Sequence, residues 1–338
     1  MSAINKLITS TPRPSSLRPF DARRDLSRVA DLVELCFSDT LDQEGYNYLR
    51  QMRSAARNSG YLRWAGLIAE SNSLPMSGYV WEEDNRIAGN LTLIPYTALR
   101  YAYYLIANVA VHPDYRRRGI ARNLTGAAID YACRRGAQTV WLHVRAENQA
   151  AGDLYRSLGF VERASRTTWQ VNGPSTQDSL LSHSAAQPVS DARNIRIAPR
   201  RPADWPAQRY WLKKQYPAYL TWHMSLRDAG LQPGVRGFIY RAINDVHLNH
   251  WSGWRDGRLS GVITWQASLG YGDHLWLAVN PDGDDTLITP LLSHVRQHAV
   301  PQRVLSLDYP HGRAVQAIQS AGFHQHQTLV WMSLDLTR

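Results

Sequence analysis

The sequence predicts an α/β (α+β) protein built from two tandem domains, each a mixed, mostly antiparallel sheet flanked by helices. Three observations lead there. The first is length and composition: 338 residues, 44% hydrophobic and 20% charged, give core enough for two domains of ordinary size. The second is recurrence. Trp81–Gly89 is echoed by Trp254–Gly261, Val111-His112-Pro113 by Val279-Asn280-Pro281, Gly159-Phe160 by Gly322-Phe323, and Trp169 by Trp331. Between the copies lies a stretch rich in Ser, Gln, Asp, Pro and Gly with no sustained period. This sets the expected boundaries at 1–171, a linker at 172–192 and 193–338. The third is the alternation of periods 2.0 and 3.6 within the first copy.

The elements of that copy follow in order. Residues 21–37 and 42–59 carry helical spacing. Ser77–Glu83 and Arg86–Leu99 form a hairpin across Asp84-Asn85, and Tyr101–Val111 is a further strand. Ile120, Leu124, Ala127/Ala128 and Tyr131 recur at helical spacing. Thr139–Arg145 alternates, with Val140, Leu142 and Val144 on one face and Trp141, His143 and Arg145 on the other. A short helix from about Asn148 to Ser157 ends at Gly159, and strand character runs from Phe160 to Val171.

Several function classes drop out on composition. Two cysteines, Cys36 and Cys133, make no disulfide framework, which suits a reducing compartment and a cytoplasmic protein. The first 20 residues hold no apolar run of signal-peptide length. The most membrane-like stretch, Leu91 to Val111, has Arg100 at its centre, where an arginine costs roughly 2.5–3.5 kcal/mol on insertion. No membrane partner is therefore expected. The formal charge is +10, and of 38 basic residues all but Lys6, Lys213 and Lys214 are arginine. Guanidinium groups suit phosphate, but the charge is spread, with Arg116-Arg117-Arg118 the one basic block. That favours a small polyanion over nucleic acid. His294 and His298 stand four apart without the glutamate of a zinc-protease helix, so no metal is expected.

The block Arg116-Arg117-Arg118-Gly119-Ile120-Ala121 lies between a strand and a helix. There, backbone N–H groups converge and the helix dipole favours an anion. VAVHPDYRRRGIARNLTGAAIDYA, WLHVRAEN and AAGDLYRSLGF together resemble the GCN5-related N-acetyltransferase (GNAT) superfamily, most specifically over 77–171. The nearest flavour is that of peptide α-amino acetyltransferases. The family's Arg/Gln-x-x-Gly-x-Gly/Ala pattern corresponds to Arg116, Gly119 and Ala121. The resemblance implies acetyl-CoA as cosubstrate. Val109, Ala110 and Val111 would meet its thioester and pantetheine, Arg116, Arg117, Arg118, Gly119, Ile120, Ala121 and Arg122 its pyrophosphate, Asn148 its arm, and Tyr155 its sulfur.

Amide formation from a thioester needs an amine that loses a proton, a stabilised oxyanion and a protonated leaving thiol. Tyr155 is placed for the last, since a phenol can protonate sulfur. The family commonly has a glutamate where His143 stands; His143 is then either a base or a lining residue of the acceptor pocket. Trp141 shares its face, and Asn108 is a second candidate substrate contact. The acceptor is expected to be a small-molecule amine or a protein N-terminus. Mycothiol synthase has a similar tandem architecture, so acyl transfer to a small amine is an alternative, as is a non-catalytic CoA-binding module. The second copy lacks these groups. Asp282, Asp284 and Asp285 follow Asn280-Pro281, and Ile318 and His311 stand for Tyr155 and Asn148. It is read as degenerate, with most of its eight tryptophans in the core and Trp251 and Trp254 as the expected surface pair.

Overall fold

A computed structural model describes residues 16–57, 77–98, 101–172, 194–221, 224, 226–268, 272–283, 285–300 and 303–337. The expected linker lies outside these residues apart from Asn172, as do residues 58–59 and Leu99. The first elements are β1 (Leu17–Pro19), α1 (Ala22–Phe37), α2 (Gln43–Arg57), β2 (Gly78–Glu83), β3 (Arg86–Ala98) and β4 (Tyr101–Val111). They are followed by α3 (Ile120–Arg134), β5 (Thr139–Arg145), α4 (Gln149–Ser157) and β6 (Val161–Asn172). Local chemistry sets several of these ends. The Asp21 side chain accepts from the Arg23 N–H at 3.0 Å to cap α1. Asp84 and Asn85 turn the β2–β3 hairpin with φ of 50° and 59°, as a two-residue I′ turn requires.

The later elements are β7 (Ile195–Pro199), α5 (Trp205–Gln215), α6 (Ala218–Thr221), α7 (Asp228–Leu231), α8 (Val235–Ile243), β8 (Leu248–Arg255) and β9 (Arg258–Gln266). β10 (Gly272–Val279), α9 (Ile288–His298), β11 (Val304–Pro310), α10 (Val315–Ser320) and β12 (His324–Asp335) complete the chain.

The chain divides into two compact units, Met1–Ala164 with Leu329–Arg338, and Ser165–Thr328. This is not the simple succession expected from the sequence. The last strand returns to the first unit, where β12 pairs antiparallel with β5 from Leu329↔Arg145 to Asp335↔Thr139. Residues 166–172 of β6 pair instead with β11 of the second unit. The strand orders are thus β1-β2-β3-β4-β5-β12 in the first unit and β6-β11-β10-β9-β8-β7 in the second. In each, one pair is parallel (β4–β5 and β10–β11), and its neighbours are antiparallel.

The first unit is a sheet between two helical layers. Leu91, Leu93, Ile106, Val140, Leu142 and Val144 pack with α3 on one face, joined by Met332 of β12. Leu26, Val29, Val33, Leu49 and Met52 of α1 and α2 pack on the other face with Val80, Ile87 and Ala110. Each fully buried Leu or Ile of this kind contributes about 1.5–3 kcal/mol. Gly89 lets α3 approach, because a Cβ there would lie 2.7 Å from Ile120 Cγ2 and 3.0 Å from Leu124 Cδ1. In the second unit, Leu275, Leu277, Leu291, Leu292, Leu305 and Leu307 form one core, and Trp211, Tyr216, Val262 and Trp276 another.

Two tryptophan expectations are corrected. Trp254 is not a surface residue: it is 8% exposed, with the guanidinium groups of Arg201 and Arg196 over its ring at 4.7 and 5.7 Å. Nor is it the equivalent of Trp81. Trp81 pairs with Gly89 and Gly253 with Gly261, so Trp254 takes the place of Glu82, one residue on and therefore on the opposite face. Trp331 belongs to the first unit's sheet rather than to the second copy.

Candidate active site

The site begins where two strands part. The parallel β4–β5 ladder runs from Tyr103↔Thr139 to Ile106↔Leu142 and stops. Beyond it β4 carries a bulge, seen as a register shift against β3 between Asn90 and Thr92, with Asn108 at a φ of 51°. A bulge adds a residue to one strand and turns it. Asn108 is held from two sides: the Asn90 Nδ2 donates to its backbone O at 3.0 Å, and its own Nδ2 donates to the Tyr48 hydroxyl at 3.1 Å. Burial pushes the Tyr48 phenol up to about 12, so it is protonated at neutral pH. After the bulge, His112 N–H donates to Ala88 O at 2.9 Å. The alternation of an antiparallel ladder then turns the N–H groups of Val109 and Val111 away from β3, toward the gap left by β5.

The next part is the turn into α3. Gly119 is the N-cap residue at a φ of 75°, with no side chain capping the helix, and Arg117 also lies in the left-handed region at 64°. The first-turn N–H groups are therefore open to an anion. Arg116 Nε donates to Val111 O at 3.2 Å, and Arg122 Nη2 to Ser157 Oγ at 2.7 Å. On the far wall, Asn148 caps α4 by accepting from Ala151 N–H at 3.2 Å. Tyr155 sits 6% exposed with Phe160 edge-on at 6.0 Å, and burial pushes its phenol up to about 12.

These groups line one cleft of about 640 Å³. Val109, Ala110, Val111, Arg116, Arg117, Gly119, Ile120, Ala121, Arg122, Asn148 and Tyr155 are all on its wall. Arg118 is not. Its Nη2 donates to Asp114 O at 3.1 Å, its guanidinium lies 4.9 Å above the Tyr115 ring, and its Nη1 is 3.6 Å from Glu83. Sequence reasoning missed Cys36, Phe37 and Tyr115, which also line the cleft. The Cys36 thiol donates to Val111 O at 3.3 Å, and burial raises its pKa against the opposing pull of Arg116. Both Cys36 and Cys133 are free thiols.

Trp141, His143 and Asn108 are not on that wall. Trp141 is 6% exposed. The His143 side chain is on the β5 face opposite Val140, Leu142 and Val144, exposed to solvent, with its ring 4.9 Å from that of Trp331. Its neighbour on the same face, Arg145, donates to Thr40 O at 3.1 Å. Desolvation first, then the Arg145 charge, lowers the His143 pKa below its usual range. Exposure of the ring limits the size of that shift, and both the usual and the lowered value leave the ring neutral at pH 7.

The second unit resolves the same parting of strands differently. The parallel ladder Gly272↔Val304 to Leu275↔Leu307 also stops after four pairs. Here Tyr216, at the end of α5, fills the gap. Its hydroxyl accepts from Leu277 N–H at 3.4 Å and donates to Asp308 O at 3.0 Å. Arg166 lies over its ring at 4.8 Å and pairs with Asp308. A larger cavity of about 760 Å³ in this unit runs along the N-terminal ends of α9 and α10, past Asp285, Thr289 and Val315, and has neither Leu277 nor Tyr216 on its wall. Among the described residues no group of three or more His, Cys, Asp or Glu could hold a metal ion, and no helix is long and apolar enough to cross a membrane.

Comparison with known proteins agrees with this geometry. Residues 29–160 match the acetyltransferase (GNAT) family. An Escherichia coli K12 relative named [ribosomal protein bS18]-alanine N-acetyltransferase is 42% identical over 83 residues, 25% of this chain and 54% of that protein. N-alpha-acetyltransferase 30 of Schizosaccharomyces pombe is 38% identical over 68 residues, 20% and 45% of the two chains. The chain thus spans about half the length of the curated relatives it matches. Over nearly its whole length it has the fold of a GCN5-related N-acetyltransferase from Sphaerobacter thermophilus, with TM-score 0.59, 15% identity and 97% and 98% of the two chains covered. A tandem GNAT protein from the clavulanic acid biosynthesis pathway gives TM-score 0.51 at 16% identity, covering 95% and 98%.

Proposed function

Residues 29–160 belong to the GNAT family, and from that premise we propose that the first unit is an acetyl-CoA-dependent N-acetyltransferase acting on a primary amine by direct attack in a ternary complex. One observation carries the reading: the uncapped start of α3 at Gly119 opens on the same cleft as the Val109–Val111 edge and Tyr155. An anion-binding helix terminus, an unpaired strand edge and a neutral phenol are what a pyrophosphate, a pantetheine arm and a departing thiolate require. Acetyl-CoA supplies the activated acyl group. Val109 N–H donates to the acyl carbonyl oxygen as negative charge builds there. Tyr155 gives its proton to the sulfur as the C–S bond breaks. His143, neutral at pH 7 on the opposite face of β5, takes the proton from the amine, directly or through water. Asn108 and Trp141, beside the parting strands, border the acceptor. The arginines at 116, 117 and 122 hold the phosphates, with Arg118 set back on Tyr115.

The acceptor is a protein N-terminal amine or a small-molecule amine; the names of the curated relatives favour the former. The free cysteines suit a cytoplasmic setting. The test is free-thiol release from acetyl-CoA against a panel of N-terminal peptides and small amines, with Tyr155→Phe as the matched variant. The variant should bind CoA as wild type does and turn over roughly 10²–10⁴-fold more slowly. Equal turnover removes Tyr155 from the chemistry. CoA binding with no transfer to any amine makes the protein a CoA-binding module instead.

A further inference from the structure

The two units make the same parting of parallel strands, and comparing them isolates one residue. Both ladders can be anchored at equivalent pairs: Ile106↔Leu142 and Gly89↔Val111 in the first unit, Leu275↔Leu307 and Gly261↔Val279 in the second. Between these anchors β4 has one residue more than β10. The extra residue is Asn108, and β10 runs against β9 with no register shift. The residue opposite Ala110 on β3 is Asn90, whereas the residue opposite the equivalent Ala278 on β9 is Val262. Asn90 is 1% exposed and Val262 fully buried. A carboxamide in a sheet core is costly unless it is bonded. Here its bond goes to the backbone O of Asn108, the residue the unbulged strand does without. A left-handed conformation is unfavourable for a residue with a side chain, and a second bond, from Asn108 to Tyr48 of α2, holds it from the other side.

The consequence lies one residue on. Asn280 N–H donates to Ser260 O at 3.0 Å, as His112 N–H does to Ala88 O, so Leu277 corresponds to Val109. In the second unit the Leu277 amide is taken by the Tyr216 hydroxyl. In the first unit the equivalent amide borders the open cleft. We propose that Asn90 and Tyr48 are positioning residues that hold the Asn108 bulge, and through it aim the Val109 amide at the acyl carbonyl. This rests on the acetyltransferase reading above.

The experiment compares wild type with Asn90→Val, which installs the second unit's residue, and with Tyr48→Phe, which keeps the ring and removes the acceptor of the Asn108 bond. Three quantities are read: CoA affinity by calorimetry, kcat and KM, and the infrared stretch of bound acetyl-CoA labelled with ¹³C at the carbonyl. CoA lacks the acyl carbonyl, so its affinity should stay within about threefold. Asn90→Val should lower kcat roughly 10²–10³-fold, the range for loss of one oxyanion-hole donor. The downshift of the carbonyl stretch expected in wild type should vanish with it. Tyr48→Phe should lower kcat about tenfold, and should add nothing in an Asn108→Gly background, where glycine adopts the bulge unaided. A role confined to stability would lower Tm and leave kcat and the carbonyl stretch unchanged in folded variants, and that result overturns the proposal. If Asn90→Val does not fold, Tyr48→Phe alone decides it, on both kcat and the stretch. Wild type that binds no acetyl-CoA overturns the acetyltransferase reading itself, and the proposal with it.

Discussion

Gly119 is the position at which the phosphate-binding reading is most sharply exposed to test. Its φ of 75° is strained for any residue with a Cβ, yet a Cβ there would meet only Asn123 Nδ2 at 3.8 Å. Gly119→Ala therefore costs backbone strain alone, about 1–2 kcal/mol, and lowers Tm by a few degrees. Gly119→Glu carries the same strain, but its carboxylate favours the positive end of α3, so the fold should lose no more than it does with alanine. The two part company when a phosphate arrives. A unit charge 4 Å from another at an effective dielectric of 20 interacts by about 4 kcal/mol, which is roughly three decades in Kd. Calorimetry with CoA should find alanine within about tenfold of wild type and glutamate weaker by roughly 10³. The gap should narrow as salt rises, because this exposed charge is screened. Equal affinities for the alanine and glutamate variants, with both shown folded by calorimetric melting, would remove the α3 turn from cosubstrate binding.

Three further outcomes follow from the same geometry. Because desolvation and Arg145 lower the His143 pKa, the base form persists as pH falls, and the acidic limb of the rate profile should lie below the usual histidine value near 6.5; His143→Ala should flatten that limb, and an unchanged limb in the variant assigns it to another group. Truncation after Asn172 removes β12 from beside β5 and strips Val330, Met332 and Leu334 from the core of the first unit, so the fragment should aggregate; a soluble fragment with full CoA affinity would show the returning strand to be dispensable. Full-length protein should bind one CoA per chain, since Tyr216 already occupies the second parting of strands, and a calorimetric stoichiometry of two would contradict that.

Much of the site was readable because it is local. Arg116 to Arg122 span one turn and the start of α3, and Asn148 to Tyr155 one short helix, so each is a consecutive run whose resemblance to the GNAT pattern is visible without tertiary information. The remainder depends on contacts far apart in sequence. Cys36 and Phe37 reach the cleft because α1 ends there, which no spacing in 116–155 reveals. Arg118 is consecutive with its neighbours, but the left-handed turn at Arg117 sends it to Tyr115 and Glu83. The strands 161–172 and 324–335 carry matching tryptophans and similar patterns. Nothing in either run says which sheet it joins, and the exchange of β12 is settled only by pairing with β5. Trp254 was misaligned for a related reason. The turns Asp84-Asn85 and Asp256-Gly257 fix the register, and a one-residue offset between copies moves a side chain to the other face.

The carboxylates that mark the second copy as degenerate in the sequence are only part of how it differs from the first. Carboxylates at Asp282 and Asp285 would repel a pyrophosphate, but the gap between the parting strands is itself filled, by Tyr216. Wherever parallel strands part, backbone N–H and C=O groups lose their ladder partners, and buried groups of that kind must be satisfied. The second unit satisfies them from within: one phenol accepts from Leu277 and donates to Asp308 O, and Arg166 covers its ring. The first unit leaves the corresponding edge facing a cleft, and adds one residue, Asn108, immediately before the equivalent amide of Val109. A strand edge satisfied by its own tyrosine becomes core, whereas an edge kept open needs support from outside the ladder. Asn90 and Tyr48 provide that support, and the polar Asn90 stands where the closed copy has Val262.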